Sequence, residues 1–253
     1  MTNKFYKWEG LGNDFIILCA EPDENSSKLA KKVCNRHLGV GGDGLIYLFL
    51  RQGLLHMEIF NSDGTIANMC GNGIRCLAGE AHRLGLLNLR ERTAVMTRSG
   101  LRYVTVEDSD PYKVTVDMGR AKIAVQHDKC VKVDVGNPHL VIFLDSEDEL
   151  NSFTLMREGE ILDKLEPGGI NVEFAYPADK NIIKVRVWER GAGETKACGT
   201  GACAVTAAAN YLNLCNERVD VQLPGGILSI NLEDEHIFMC GSANLVFEGE
   251  FYE

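Results

Sequence analysis

Short apolar or alternating runs recur along the chain. Phe15–Leu18, Leu45–Phe49, Tyr103–Val106 and Val114–Val116 occupy the first half, and Val133–Val135, Leu140–Leu144, Ile182–Trp188 and Val219–Leu223 the second. Runs of this length and pattern predict strands. Twice the period changes from two to that of a helix. Ile74, Leu77, Ala78 and Ala81 fall at i, i+3, i+4 and i+7, and Val205, Ala208, Ala209 and Leu212 do the same. These two stretches predict amphipathic or buried helices. Each begins directly after a Cys-Gly-x-Gly sequence, Cys70-Gly71-Asn72-Gly73 in one case and Cys198-Gly199-Thr200-Gly201 in the other.

That coincidence belongs to a longer repeat. Gly12-Asn13 returns as Gly136-Asn137, Gly41-Gly42 as Gly168-Gly169, and Ser99-Gly100-Leu101 aligns with Gly225-Gly226-Ile227. With the cysteine motif, four matches in one order at nearly constant spacing predict two homologous halves of about 125 residues. The expected fold is α+β, with two pseudo-symmetric domains, each a mostly antiparallel sheet or barrel around a central helix. The expected boundaries are 1–117 plus 245–253 for the first half and 118–244 for the second. Leu245–Tyr252 is left over after the second copy and is expected to return to the first half's sheet.

Composition narrows the function. The 253 residues carry 36 acidic against 26 basic side chains, a formal net charge of −10, with no Lys/Arg run. Nucleic acid is therefore not an expected partner. Met1–Asp14 lacks the layout of a signal peptide and no apolar stretch approaches a membrane span, so a cytoplasmic location without membrane partners is expected. Nine cysteines are many and odd in number, which argues against a disulfide framework. Cys70/Cys76 and Cys198/Cys203 do not have the tight spacing of structural zinc pairs, and no metal is expected. Cys19, Cys34, Cys130, Cys215 and Cys240 stand among apolar neighbours and read as buried small hydrophobes. Cys76 and Cys203, inside the predicted helices, read as core.

The remaining pair has chemistry. The first N–H groups of a helix lack internal partners and the macrodipole makes that end positive. Gly71, Asn72, Gly199 and Thr200 are therefore candidates to hold a carboxylate, and the same field favours the thiolate of Cys70 and Cys198. The effect is modest, roughly 0.3–1 kcal/mol and at most ~2. It does not stabilise a carbanion unaided; orientation and donors around the substrate carboxylate must supply the rest. If two such motifs serve one α-carbon, one thiolate removes the proton while the other thiol returns one to the opposite face. No P-loop, dinucleotide fingerprint or nucleophile elbow is present, so no cofactor is expected. A thiol redox or binding protein using the paired cysteines is the rival from another class.

Seven segments carry a family resemblance: Gly10–Phe15, Phe60–Gly64, Cys70–Cys76, Gly136–His139, Asn171–Phe174, Glu189–Thr195 and Ala197–Cys203. In order and over nearly the whole chain, they resemble the motifs of diaminopimelate epimerases. The resemblance implies the two-domain fold, cysteine bases at Cys70 and Cys198, no pyridoxal phosphate, and interconversion of LL- and meso-diaminopimelate in lysine and peptidoglycan precursor synthesis. It implies that His139 tunes the first cysteine, that Glu189 supports Cys198 and also meets the substrate, and that Arg190 grips the distal carboxylate. Asn13, Asn61, Asn137 and Asn171 become substrate contacts by the same match, where the residues alone also fit turn stabilisation. A homodimer is the expected assembly. Some relatives carry an amide side chain where this chain has Gly44, so no ligand contact is transferred there, and Asp145–Pro167 matches poorly. A related isomerase acting on proline or glutamate is the nearest alternative.

Overall fold

The structure is a computed structural model and describes residues 2–152 and 154–252. The first elements in chain order are β1 (Thr2–Gly10), β2 (Asn13–Leu18), α1 (Ser26–Val33), β3 (Gly44–Arg51) and β4 (Leu54–Asn61). They are followed by β5 (Ile66–Ala67), α2 (Gly71–Arg83), β6 (Thr93–Thr97), β7 (Gly100–Ser109) and β8 (Tyr112–Asp117). Then come β9 (Lys122–His127), β10 (Cys130–Asp134), β11 (Pro138–Phe143), α3 (Glu147–Leu150), α4 (Leu155–Leu165) and β12 (Asn171–Pro177). The chain continues with β13 (Ile182–Glu189), β14 (Gly193–Thr195), α5 (Gly199–Tyr211), β15 (Arg218–Leu223), β16 (Gly226–Glu233), β17 (His236–Ser242) and β18 (Asn244–Tyr252). Contacts divide it into two units, residues 1–116 with 241–253, and residues 117–240.

Each unit uses the same pairing scheme. In the first, β1–β2, β3–β4 and β6–β7 are antiparallel, while β2–β3 and β4–β6 are parallel. In the second, β10–β11, β12–β13 and β15–β16 are antiparallel, while β11–β12 and β13–β15 are parallel. β18 runs antiparallel along β1, with Lys4 opposite Glu250 and Tyr6 opposite Glu248. The alternation along β13 shows why these segments are strands. Ile183, Val185 and Val187 are buried while their neighbours are partly exposed, the two-residue period of a half-covered sheet.

The two periodic stretches are the central helices. Every residue of α2 from Gly71 to Ala81 is buried, including Ile74, Leu77 and Ala78, against strands of its own unit. In α5, Ala202, Val205, Ala208 and Ala209 are buried in the same way. Burying an Ile, Leu or Val side chain contributes about 1.5–3 kcal/mol, so these faces supply a large part of each unit's stability. Asp145–Pro167, which matched the family poorly, forms α3 and α4. Leu150, Leu155 and Met156 from these helices pack on Ile170, Val172 and Phe174.

Five cysteines read as buried do not share one environment. Cys34 and Cys215 are buried, and burial pushes the Cys34 thiol up to about 12. Cys130 and Cys240 are only half-buried and Cys19 is exposed, which corrects the uniform expectation. Cys19 lies one residue past the end of β2, where the chain leaves the sheet for the surface. No helix among the described residues is long and apolar enough to cross a membrane.

Candidate active site

Both motif cysteines occupy the same structural position. Cys70 is the N-cap of α2 and Cys198 the N-cap of α5, each in extended backbone, with sulfur accepting from the N–H of Gly73 at 3.4 Å and of Gly201 at 3.3 Å. Ser, Thr, Asp or Asn would cap these helices better by up to about 1 kcal/mol. A sulfur at both caps therefore reflects chemistry more than helix stability.

In the second unit, Cys198 is almost completely buried and stands within a polar cluster. Its sulfur lies 3.4 Å from Thr200 Oγ1, which accepts from Asn137 Nδ2 at 3.5 Å. Asn137 Oδ1 is 3.1 Å from His139 Nε2, and His139 Nδ1 is 2.6 Å from Glu173 Oε1. His139 and Glu173 are fully buried and come from adjacent parallel strands, β11 and β12. Glu189, the last residue of β13, accepts a hydrogen bond from Thr195 Oγ1, and its charge acts on the Cys198 thiol. Burial pushes the Glu189 carboxyl above its ordinary range, and the negative charge of Glu173 adds to this against the hydrogen bond from Thr195.

Cys198 departs from the expected thiolate. Burial raises its thiol well above the ordinary value, and the carboxylates of Glu189 and Glu173 push it the same way. The hydrogen bonds from Thr200 and the helix N–H of Gly201 lower it, but do not prevail. A helix terminus is worth too little to overcome burial beside two carboxylates. Cys198 therefore rests as a thiol.

Glu173 was not singled out by sequence reasoning, although it lies in a quoted motif. A Cβ built on Gly201 would come within 2.6 Å of Glu173 Oε1 and 3.2 Å of Cys198 Cβ, so only glycine lets the start of α5 approach this carboxylate. Its other oxygen, Oε2, is buried without a hydrogen-bond partner. The signal was present in the sequence: a Glu between the apolar Val172 and Phe174 of the strand Asn171–Pro177.

Asn171 and Arg190 form the edge of this unit's site. The Asn171 side chain donates to Pro138 O at 3.2 Å and accepts the Arg190 backbone N–H at 3.0 Å. Arg190 lies in the turn after β13, and its exposed guanidinium donates to Gly168 O at 3.2 Å. A Cβ at Gly169 would sit 2.7 Å from Arg190 Cδ, so glycine leaves the arginine its path.

In the first unit, the Cys70 thiol donates to Asn13 Oδ1 at 3.8 Å, and Asn72 Nδ2 donates to the same oxygen at 3.3 Å. Asn72 and Gly71 are buried at the first turn of α2. Asn61 makes its side-chain bond within its own turn, donating to Thr65 Oγ1 at 2.9 Å, and is exposed. Among the described residues, no group of three or more His, Cys, Asp or Glu is arranged to hold a metal ion.

Behind Asn13 lies a charged network that the sequence reading did not identify. Lys7, 7% exposed at its side chain, pairs with Asp14 at 2.6 Å and donates to Gly41 O; Arg36 pairs with Asp14 at 2.6 Å and Asp43 at 2.7 Å. Burial would raise the Asp14 carboxyl, but hydrogen bonds from Arg36 and Lys7 outweigh it and hold Asp14 well below the usual carboxylate range. A carboxyl depressed on folding contributes stability above its unfolded range, and that contribution is lost as pH falls through the folded value. Asp14→Asn is therefore expected to cost about 3–5 kcal/mol near neutral pH, the scale for breaking a buried pair. In urea denaturation the gap between wild type and variant should narrow progressively as pH falls below about 4 and close only near the depressed folded value. A gap that persists undiminished in acid would show that the charge of Asp14 is not what stabilises the unit.

The comparisons with known proteins agree with one another. The family model for diaminopimelate epimerase matches residues 5–124 and 131–246, one match in each half. A diaminopimelate epimerase from Methanococcus maripaludis is 38% identical, covering 98% of this chain and 99% of its own length. One from Acetivibrio thermocellus is 40% identical, with 98% of each covered. Among solved structures, a phenazine biosynthesis protein of the PhzF family from Bacillus anthracis superposes with a TM-score of 0.77 at 15% identity, covering all of both chains. A probable proline racemase from Agrobacterium radiobacter gives 0.75 at 12% identity, covering 99% of this chain and 93% of its own. These last two share the α+β fold of two repeated domains. With the family model matching both halves and curated relatives near 40% identity along its length, the chain belongs to the diaminopimelate epimerase family.

Proposed function

We propose that this epimerase interconverts LL- and meso-2,6-diaminopimelate by two-base proton transfer, with Cys70 and Cys198 serving opposite faces of one α-carbon. A cysteine thiolate takes the α-proton, and the electron pair left on carbon delocalises into the α-carboxylate. The other cysteine's thiol proton goes to the opposite face, inverting the centre and exchanging the roles of the two sulfurs. The observation that carries this reading is the sulfur N-cap built twice, once in each unit. Cys198, resting as a thiol, is the acid in the direction that begins with Cys70 as base.

The remaining roles follow. Gly71, Asn72, Gly199 and Thr200 offer the helix N-termini to the α-carboxylate, where charge develops. Glu189 positions the Cys198 thiol proton and meets the substrate, while His139, through Glu173 and Asn137, orders the same cluster. Arg190, with Asn13, Asn61, Asn137 and Asn171, holds the non-reacting amino-acid end. The reaction uses no metal and no pyridoxal phosphate, and proceeds in a cytoplasmic homodimer that supplies lysine and peptidoglycan precursors.

Solvent-deuterium exchange tests the chemistry directly. LL-diaminopimelate incubated with the protein in D2O should gain deuterium at the inverted α-carbon, and early meso product should carry it fully. Product formed with the original hydrogen retained at that carbon would refute two-base transfer.

A further inference from the structure

We infer that Asp43 and Arg75 are positioning residues that fix the direction of the Asn13 side-chain amide, so that its carbonyl oxygen faces the sulfur of Cys70. The Asn13 amide donates through Nδ2 to Asp43 Oδ2 at 2.6 Å, and the same oxygen accepts the Asp14 backbone N–H at 3.0 Å. The other carboxylate oxygen accepts from Arg36 at 2.7 Å. A carboxylate paired with a guanidinium offers only acceptors, so the NH2 of Asn13 must be the end that meets it.

The opposite end of the chain of bonds is equally one-sided. Asn13 Oδ1 accepts from Asn72 Nδ2 at 3.3 Å, and Asn72 Oδ1 accepts from Arg75 Nη2 at 3.0 Å. A guanidinium only donates. Arg75 is fully buried and held by the carbonyls of Gly71 and Ser242, each at 3.2 Å. Two amides thus lie in series between a group that can only accept and a group that can only donate. Turning either one would set donor against donor or acceptor against acceptor at its contacts along the series, so the polarity of the series is determined.

Cys70 stands beside the middle of this series, 3.8 Å from Asn13 Oδ1. A carbonyl oxygen there accepts from the thiol but offers nothing to a thiolate. An NH2 in its place would do the reverse. The lock therefore favours the Cys70 thiol in the substrate-free protein and restrains its reaction with electrophiles. The inference deepens the two-base reading, in which Cys70 alternates between both forms, and rests on it only for the effect on turnover.

The test is alkylation of the full chain by iodoacetamide, without substrate, near neutral pH, with modification of Cys70 followed by peptide mass spectrometry. Asp43→Ala removes one of the two contacts that hold the Asn13 amide, so that it can turn at the expense of the single contact to Asn72; Cys70 should react about 10-fold faster. Asp43→Asn loses the same charge, yet its side-chain oxygen must face the Asp14 N–H and so still meets the Asn13 NH2. Its Cys70 should react within about 3-fold of wild type. Fully buried Cys76 remaining unlabelled reports an intact fold, and if Asp43→Ala does not fold, Asp43→Ser, too short to dictate the amide, takes its place with the same expectation. Equal acceleration in the Ala (or Ser) and Asn variants would assign the effect to charge and overturn the inference, as would no acceleration in either. Diaminopimelate takes no part in this measurement, so failure of the wild type to epimerise it would sink the proposed function alone.

Discussion

Cys70→Ala and Cys198→Ala are each expected to lower kcat for epimerisation by about 10³-fold or more, the scale of losing a positioned acid–base group in a reaction that needs two. Both variants should fold. Each removes one weak sulfur cap, at a cost of about 1 kcal/mol, while the buried faces of α2 and α5 stay intact. Circular dichroism and a polarimetric or coupled assay on the same preparations separate folding from catalysis. Serine at either position makes a sharper test. It caps a helix better than cysteine but is a far poorer base, so the variant should be at least as stable and still inactive in epimerisation. With an analogue carrying a halogen on the carbon next to the reacting one, the surviving cysteine, once deprotonated, can take the α-proton, the electron pair forms a carbon–carbon double bond, and halide leaves. That elimination needs one base where inversion needs two. Serine variants active in neither reaction, or alanine variants active in epimerisation, would refute the assignment of the two cysteines.

The second large effect is expected at Arg190. Arg190→Met should lower kcat/KM for diaminopimelate by about 30- to 1000-fold, equivalent to losing roughly 2–4 kcal/mol of charge-assisted bidentate contact. Methionine keeps the length and flexibility of the side chain and removes only its charge and donors. The guanidinium is already directed, by its own backbone N–H on Asn171 and its Nη1 on Gly168, so little ordering remains for the substrate to impose. Arg190→Lys should recover little, since a point charge does not reproduce the planar fork. Unchanged kcat/KM in the methionine variant would remove Arg190 from the site. Glu189→Gln should separate from it, lowering kcat more than it raises KM, because the Glu189 carboxylate acts on the Cys198 thiol.

Much of this protein was legible before any coordinates. Residue periodicity located both central helices, because a face that must be buried repeats every three to four residues whatever surrounds it. The duplicated Cys-Gly-x-Gly located both cysteines, since glycines beside a helix start have few other uses than close approach of a ligand or a neighbouring chain. Local chemistry of this kind is written in adjacent residues. What depended on strand neighbours was not. Glu173 reads as one acidic residue in an apolar strand, and only the parallel register of β11 with β12 sets it against His139. Asp43 and Arg75 lie far apart in sequence, and their shared control of one amide exists only once β2 and α2 pack together. The protonation of Cys198 was decided in the same way. Its helix field is a local property and argues for thiolate, whereas its burial and the charges of Glu173 and Glu189 come from two separate strands, β12 and β13, and the core. Sequence determines the short-range terms; desolvation and facing charges are long-range terms, fixed by which segments the fold brings together, and here they outweigh the local one.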